Sequence, residues 1–239
     1  MRLVTYNIHK GIGGRDRRYS LDRVIEVIES LDVDFICLQE VDRNLRRSRF
    51  DHQPERLIDA LQPSTSLDQL VFPRANGGYG NLILSRWPFL ESEQFSIRKG
   101  RRKPRGGQIA VVDSPEGPFV LGHAHLGLNE RERHWQMDRL ISHERLIARK
   151  HLPAIVTGDT NDWRNTLHRG ALERQGFTQV TSPSARFRTF PAYLPMASLD
   201  KVFVRGEISV NHAEVVRTRL SRRASDHLPV ILDFNIFTS

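Results

Sequence analysis

The sequence of 239 residues predicts an α/β fold on three observations. Strand-length apolar runs recur along the whole chain. Helical apolar periodicity falls between these runs rather than in a block of its own, and most of the runs end in a polar or charged residue. Gly and Pro are scattered between the runs, with no linker-like stretch, internal repeat or low-complexity tract. Residues 1–239 are therefore read as a single domain.

Composition narrows the classes of function. Apolar residues make up 38%, enough at this length for a sizeable core. No run approaches the roughly 20 apolar residues of a membrane span, and no signal-peptide pattern precedes the first strand. Cys37, the only cysteine, lies in an apolar run and reads as core packing. A cytoplasmic protein is expected. The net charge of +8 favours polyanionic partners: nucleic acid, anionic lipid or small phosphorylated molecules.

Residues 2–8 read as a strand presenting Asn7, followed by the Gly-rich loop His9 to Gly14. Lys10 is placed there to meet a phosphate, although the closing residues of a Walker loop are missing. Leu21, Val24, Ile25 and Ile28 share one face and predict a helix over 21–30 with Ser20 as N-cap. Residues 34–41 form an apolar strand ending at Glu40, where sheets of this class place ligands. Arginines 43, 46, 47 and 49 make a basic loop, and Pro54 opens a helix predicted over 54–61. After a strand over 80–85, six cations crowd residues 98–105 and predict an exposed, mobile loop. Its last cation, Arg105, abuts Gly106-Gly107 and is placed to reach a site.

Strands over 108–113 and 118–123 form a hairpin around residues 114–117. The second leads into His123-Ala124-His125, whose histidines alternate onto one face. Such a pair is a zinc site if a third ligand joins it; a structural histidine explains His123 equally well. A helix is predicted over 131–149, with Trp135, Leu140, Ile141 and Ile147 facing the core. The apolar run 152–156 then feeds Thr157-Gly158-Asp159-Thr160-Asn161. Asp159 can accept a proton or bind a cation, and Asn161 can donate to an anion, although turn preference accounts for the same residues. A helix follows over about 165–175. Asp200 opens a strand over 198–204, and Asp226-His227 leads into the last strand, offering a metal ligand beside a titratable imidazole.

Six of these motifs, in this order, resemble the endonuclease/exonuclease/phosphatase family over essentially the whole chain. They are Asn7 in the first strand, Glu40 in Leu-Gln-Glu, His125 in His-Leu, and Asp159 and Asn161 in Gly-Asp-x-Asn. Asp200 in Leu-Asp-x-Val-Phe and Asp226 with His227 in Ser-Asp-His complete the set. The resemblance implies a four-layer α/β sandwich, two mixed β-sheets packed face to face with helices outside. It also implies that Glu40, with Asn7 and Asp226, holds Mg²⁺ or Mn²⁺, since these are hard oxygen donors. Asp159 would orient or deprotonate the attacking water, and Asn161 and His125 would bind the non-bridging phosphate oxygens. His227, held by Asp200, would act as general acid/base or cationic stabiliser. In one respect the chain departs from the family's secreted deoxyribonucleases. They pair their first histidine with a glutamate, and residues 77–81 here contain no acid.

The activity so implied is metal-dependent hydrolysis of phosphodiester bonds by direct water attack, with Lys10 and Arg105 binding substrate. DNA or RNA is the expected substrate, and a monomer the expected state. A phosphatase or phospholipase-type hydrolase on a small or lipid phosphate is the alternative, because loops set the substrate on such a fold. A non-catalytic phosphate-backbone binding module is a third reading, disfavoured because every expected polar position is filled.

Overall fold

The computed structural model describes residues 1–237. The N-terminal half runs β1 (Arg2–Asn7), α1 (Leu21–Glu29), β2 (Phe35–Arg43), α2 (Gln53–Leu61), β3 (Thr65–Arg74) and β4 (Gly77–Ser85). There follow β5 (Phe89–Ser96), β6 (Gly106–Ser114), β7 (Gly117–Ala124), α3 (Glu130–Ile141), α4 (Glu144–Ala148) and β8 (Ala154–Asp159). The chain continues with α5 (Ala171–Arg174), β9 (Thr178–Gln179), β10 (Asp200–Arg205), β11 (Ile208–Val215), α6 (Ser221–Ala224) and β12 (Val230–Ile236).

Two mixed sheets of six strands result, in the orders β11-β12-β1-β2-β4-β3 and β5-β6-β7-β8-β10-β9. Side chains alternate across each strand, which divides the core into three apolar layers. Leu3, Phe35, Cys37 and Ile83 of the first sheet meet Phe119, Leu121, Ile155 and Val202 of the second between the sheets. Val4, Tyr6, Ile36 and Leu38 point the other way, onto Leu21, Val24 and Ile28 of α1 and Leu57 of α2. On the outer face of the second sheet, Ile109, Val120 and Val156 pack on Met137 and Leu140 of α3 and Leu172 of α5. Each such buried side chain contributes about 1.5–3 kcal/mol. The result is a four-layer α/β sandwich.

The topology gathers strand ends at one edge. β1 and β2 are parallel, and β12 is antiparallel to β1. In the second sheet β7 and β8 are parallel, and β10 is antiparallel to β8. The C-terminal ends of β1 and β2 therefore share an edge with the start of β12, and those of β7 and β8 with the start of β10. Gly158 permits the close approach of β8 to β7: its φ is +142°, and a Cβ there would sit 1.9 Å from the Ala124 carbonyl oxygen.

Several elements differ from the sequence reading. The helix predicted over 131–149 is broken into α3 and α4, where His143 caps the new start and stacks 4.0 Å from Phe95. Leu140 and Ile141 are buried as expected, whereas Ile147 is exposed. Of the helix predicted over 165–175 only Ala171–Arg174 forms. Ser20 stands at the α1 N-cap without a side-chain capping bond. The cation-rich segment 98–105 is tied within itself and to α3: Arg98 donates to the Arg102 carbonyl and Lys99 to that of Arg131, while Arg102 reaches Glu132 at 3.3 Å.

Candidate functional site

Asn7, Asp159 and Asp200, singled out at strand ends, lie at the shared edge. Asn7 is the last residue of β1 and Asp159 the last of β8, and the Asn7 amide donates to Asp159 Oδ2 at 2.9 Å, joining the two sheets. Asp200 opens β10 directly opposite Asp159 in the register. Glu40 owes its position to a bulge between Gln39 and Val41, where its φ is +60°. A non-glycine residue in that region is uncommon and carries strain of about 1–3 kcal/mol. Asn161 also has a positive φ, of 50°, which asparagine tolerates better than most residues. The Asp159 carboxylate accepts the Asn161 backbone N–H at 3.0 Å and so fixes that turn.

His227 is buried between two carboxylates. Its Nδ1 lies 2.8 Å from Asp200 Oδ2, and its Nε2 lies 3.8 Å from Asp159 Oδ2. Thr189 donates to the same Asp200 oxygen at 2.5 Å, and Phe190 packs 4.9 Å from the imidazole. Burial alone would push His227 down; the Asp200 and Asp159 charges and the Asp200 hydrogen bond more than offset this and raise it to about 10. The imidazole is therefore an imidazolium at neutral pH. Asp159 is pushed up to about 6, mainly by burial, with the His227 charge opposing and Asp200 adding to the rise.

His125 has the opposite character. Its Nε2 is 3.4 Å from Asp159 Oδ2 and 3.2 Å from the Asn161 amide nitrogen, which also donates to the Leu126 carbonyl at 3.0 Å. Burial, then the positive charges of Arg105 and His227, hold His125 well below its ordinary value. The absence of an acid before this strand thus goes with a neutral histidine and a neighbouring arginine. Arg105 is 6% exposed, its Nε has no hydrogen-bond partner, and no carboxylate ion-pairs with it among the described residues.

His123 corrects the His-x-His reading. Its Nδ1 faces Gln108 Oε1 at 2.8 Å and its Nε2 faces the Gln39 amide at 2.6 Å. Both ring nitrogens are thereby engaged within the inter-sheet core, so the two histidines do not form a ligand pair. His123 is the structural histidine of the two.

The third group surrounds Glu40. Lys10, at φ +61° in the loop after β1, bonds its ammonium to Glu40 Oε2. Burial would raise Glu40, but Lys10, then His9 and His227, hold it below the ordinary carboxylate range. Lys10 is therefore paired rather than free to meet a phosphate. His9 Nε2 lies 3.6 Å from Asp226 Oδ2, and the Ser225 hydroxyl donates to the Asn7 backbone carbonyl at 2.7 Å. Sequence reasoning assigned no role to His9, Thr189 or Phe190; only their neighbours stood at the end of an apolar run.

One group of acidic and histidine donors among the described residues is close enough to hold a cation. Asp159, Asp200 and His227 offer ligand atoms all within 4.8 Å of one another. In that group, however, the imidazole nitrogen nearest Asp200 is already hydrogen-bonded. Of the oxygen donors expected from the sequence, Glu40 Oε2 is paired with Lys10 and Asn7 Oδ1 accepts the His9 backbone N–H at 3.0 Å. Asp226 Oδ1 is buried without a hydrogen-bond partner, as is Asp200 Oδ1, and a cation is one way to satisfy such an oxygen. Hard oxygen donors of this kind suit a divalent ion such as Mg²⁺ or Mn²⁺.

Two sheets with helices outside, and a polar edge built from both, define a four-layer α/β sandwich with its candidate site at the shared edge. The model of the Endonuclease/Exonuclease/phosphatase family matches residues 4–227, and the chain belongs to that family. It is 26% identical to Escherichia coli (strain K12) YbhP over 249 residues, covering 98% of this chain and 96% of that protein. Two solved structures share the fold. The mannosyl-6-phosphatase Bt3783 of Bacteroides thetaiotaomicron VPI-5482 superposes with a TM-score of 0.73 at 18% identity, over 98% of this chain and 99% of that one. D. rerio TDP2, complexed with single strand DNA product, gives 0.72 at 18% identity, over 98% of each chain. No helix of the described residues is long and apolar enough to cross a membrane.

Proposed function

We propose that this protein is a divalent-metal-dependent phosphodiesterase that cleaves nucleic acid by direct attack of water on phosphorus. The observation that carries the reading is the buried His227 imidazole, 2.8 Å from Asp200 and 3.8 Å from Asp159, at the same edge as the Arg105 guanidinium, which forms no ion pair among the described residues. Negative charge that grows on phosphate oxygens finds fixed, dry positive groups there, which is the arrangement that stabilises a phosphoryl transition state.

Asp159, at the junction of the sheets, orients the water and accepts its proton as the new O–P bond forms. Asn161 turns its side-chain amide from His125 Nε2 to the non-bridging oxygens as the phosphate binds, and neutral His125 donates to them through a ring N–H. Arg105 adds full charge to the same anion. The P–O bond to the leaving group breaks, and His227 stabilises or protonates the departing oxygen; Asp200 and Thr189 hold the ring for that purpose. No covalent enzyme intermediate is needed. Glu40, Asp226 and the Asn7 side-chain carbonyl would hold the metal ion, which supplies Lewis-acid polarisation of the phosphate when bound. Lys10 pairs with Glu40 at that position.

The net charge of +8 supports a polyanionic substrate. The second reading, hydrolysis of a small or lipid phosphate, draws support from the likeness to a mannosyl-6-phosphatase. Purified protein with Mg²⁺, Mn²⁺, Zn²⁺ or excess EDTA separates these readings. The substrates are bis-p-nitrophenyl phosphate, p-nitrophenyl phosphate, single-stranded DNA and a phospholipid. Diester and DNA cleavage with Mg²⁺ or Mn²⁺, weaker with Zn²⁺ and abolished by EDTA, is expected. Turnover of the monoester alone favours the phosphatase, and full activity in EDTA removes the metal from the mechanism.

A further inference from the structure

The loop after β2, the β3–β4 turn and Lys103 enclose a cavity of about 490 Å³ outside the catalytic groups. Four cations line it (Arg46, Arg47, Arg74 and Lys103), and no carboxylate does. Only Arg47 has an acidic partner, the buried Asp42, which it grips through two bonds of 2.8 and 2.7 Å. Arg46, Arg74 and Lys103 form no ion pair among the described residues.

The floor is aromatic. Phe72 and Tyr79 stack with centroids 5.4 Å apart. Arg74 lies over Phe72 at 4.4 Å, and Arg47 and Lys103 lie over Tyr79 at 5.1 and 5.4 Å. Ring faces attract these cations and fix them in position without neutralising them. A stacked guanidinium also keeps its N–H edge free, in the geometry that suits a phosphate. Like charges crowded at one cavity repel one another, and an anion relieves that repulsion.

The cavity shares one wall, Lys103, with a second cavity nearer the catalytic groups. That second cavity, of about 490 Å³, reaches Arg105. A molecule whose reacting phosphate sits at Arg105 can therefore extend past Lys103 onto the stacked rings.

We propose that this cavity is a second phosphate subsite, holding a phosphate of the substrate other than the one cleaved. The inference rests on the phosphoesterase reading, since the two phosphates belong to one substrate. A neighbouring backbone phosphate of a nucleic acid strand and the far phosphate of a small bisphosphate ester share the chemistry required.

The test compares wild type with Arg46→Ser/Arg74→Ser, and with Arg169→Ser/Arg174→Ser as an equal loss of exposed charge elsewhere. KM is measured for a labelled 10-nucleotide DNA strand, for a hexose 1,6-bisphosphate and for bis-p-nitrophenyl phosphate, which has one phosphate. Thermal melting confirms that each variant folds. In Arg46→Ser/Arg74→Ser the KM for the strand should rise about 10-fold or more relative to that for bis-p-nitrophenyl phosphate. Its log–log salt slope should fall by roughly 1.4, about 0.7 for each phosphate of a single strand that the variant no longer neutralises. A rise confined to the hexose bisphosphate keeps the subsite and names the small ester as its source. Equal changes on all three substrates, or the same change in the control variant, overturn the subsite. If wild type cleaves nothing, the phosphoesterase reading has failed, and anisotropy of the labelled strand still decides the subsite. A dissociation constant weakened by Arg46→Ser/Arg74→Ser but not by the control upholds it; equal effects overturn it.

Discussion

His123 and His227 are both buried, at 0% and 5% exposure, yet they carry opposite charge states. His123 lies between the amides of Gln39 and Gln108, and burial pulls it down to about 3. His227 lies between Asp200 and Asp159 and is raised to about 10, although burial works against it. Burial is common to both; the partners decide. Neutral amides satisfy a neutral ring and leave the cost of desolvating a charge unopposed, whereas carboxylates compensate it. The first histidine thereby becomes a polar rung between the sheets, and the second a fixed positive charge at their edge.

The largest effect expected from this difference is at His227. His227→Ala should lower kcat on a phosphodiester by roughly 10²–10⁴-fold, the usual scale for a lost acid/base group. Asp200→Asn should cost much of the same factor, because it removes the charge that keeps the ring protonated. The double variant should be little worse than His227→Ala, as for residues acting as one unit. Losses that multiply would show that Asp200 serves some other group, and would leave His227 without its orienting partner.

At His123 the expected effect moves from rate to stability. His123→Ala leaves Gln108 Oε1 without its partner, removes one of the contacts of the Gln39 amide and opens a cavity between the sheets. It should destabilise the fold by roughly 2–4 kcal/mol. Turnover per folded molecule should stay within a few-fold of wild type, measured at a temperature where the variant is folded. A hundredfold loss of kcat in a well-folded variant would erase the contrast between the two histidines.

The sequence makes both histidines visible but does not distinguish them, and the reason extends to the fold. The eight strands read as apolar runs, β1, β2, β4, β6, β7, β8, β10 and β12, are the inner strands of the two sheets. The four passed over, β3, β5, β9 and β11, are the edges. β5 alternates half-buried and exposed residues throughout, and its Glu91 and Glu93 pair with Arg145 and Arg149. Such a strand is polar on one side by necessity and shows no apolar run. The candidate site was legible because inner strands end abruptly at polar residues: Asn7, Asp159, Asp200. Its partners were not, because Thr189 and Lys10 reach Asp200 and Glu40 only through loops. Nor could spacing reveal that His123 faces two glutamines 84 and 15 residues away.

The smallest expected effect separates the histidines by pH. Unfolded, His123 binds its proton with an ordinary value near 6.5; folded, it does so only near 3. Between those values the unfolded chain holds more protons at this position, so stability rises with pH. The contribution is complete above pH 6.5 and is lost as pH falls through the window toward 3. Each pH unit in that window corresponds to about 1.4 kcal/mol, so acidifying from about pH 7 to about pH 5 should cost on the order of 2 kcal/mol at this one residue. His123→Gln keeps a buried polar group but removes the titration. Thermal melting should find the variant less stable than wild type at about pH 7, with the gap narrowing by roughly 5 °C at about pH 5. A gap that stays constant across that range would mean that His123 is protonated in the folded core or open to solvent, and that its amide partners do not hold it neutral.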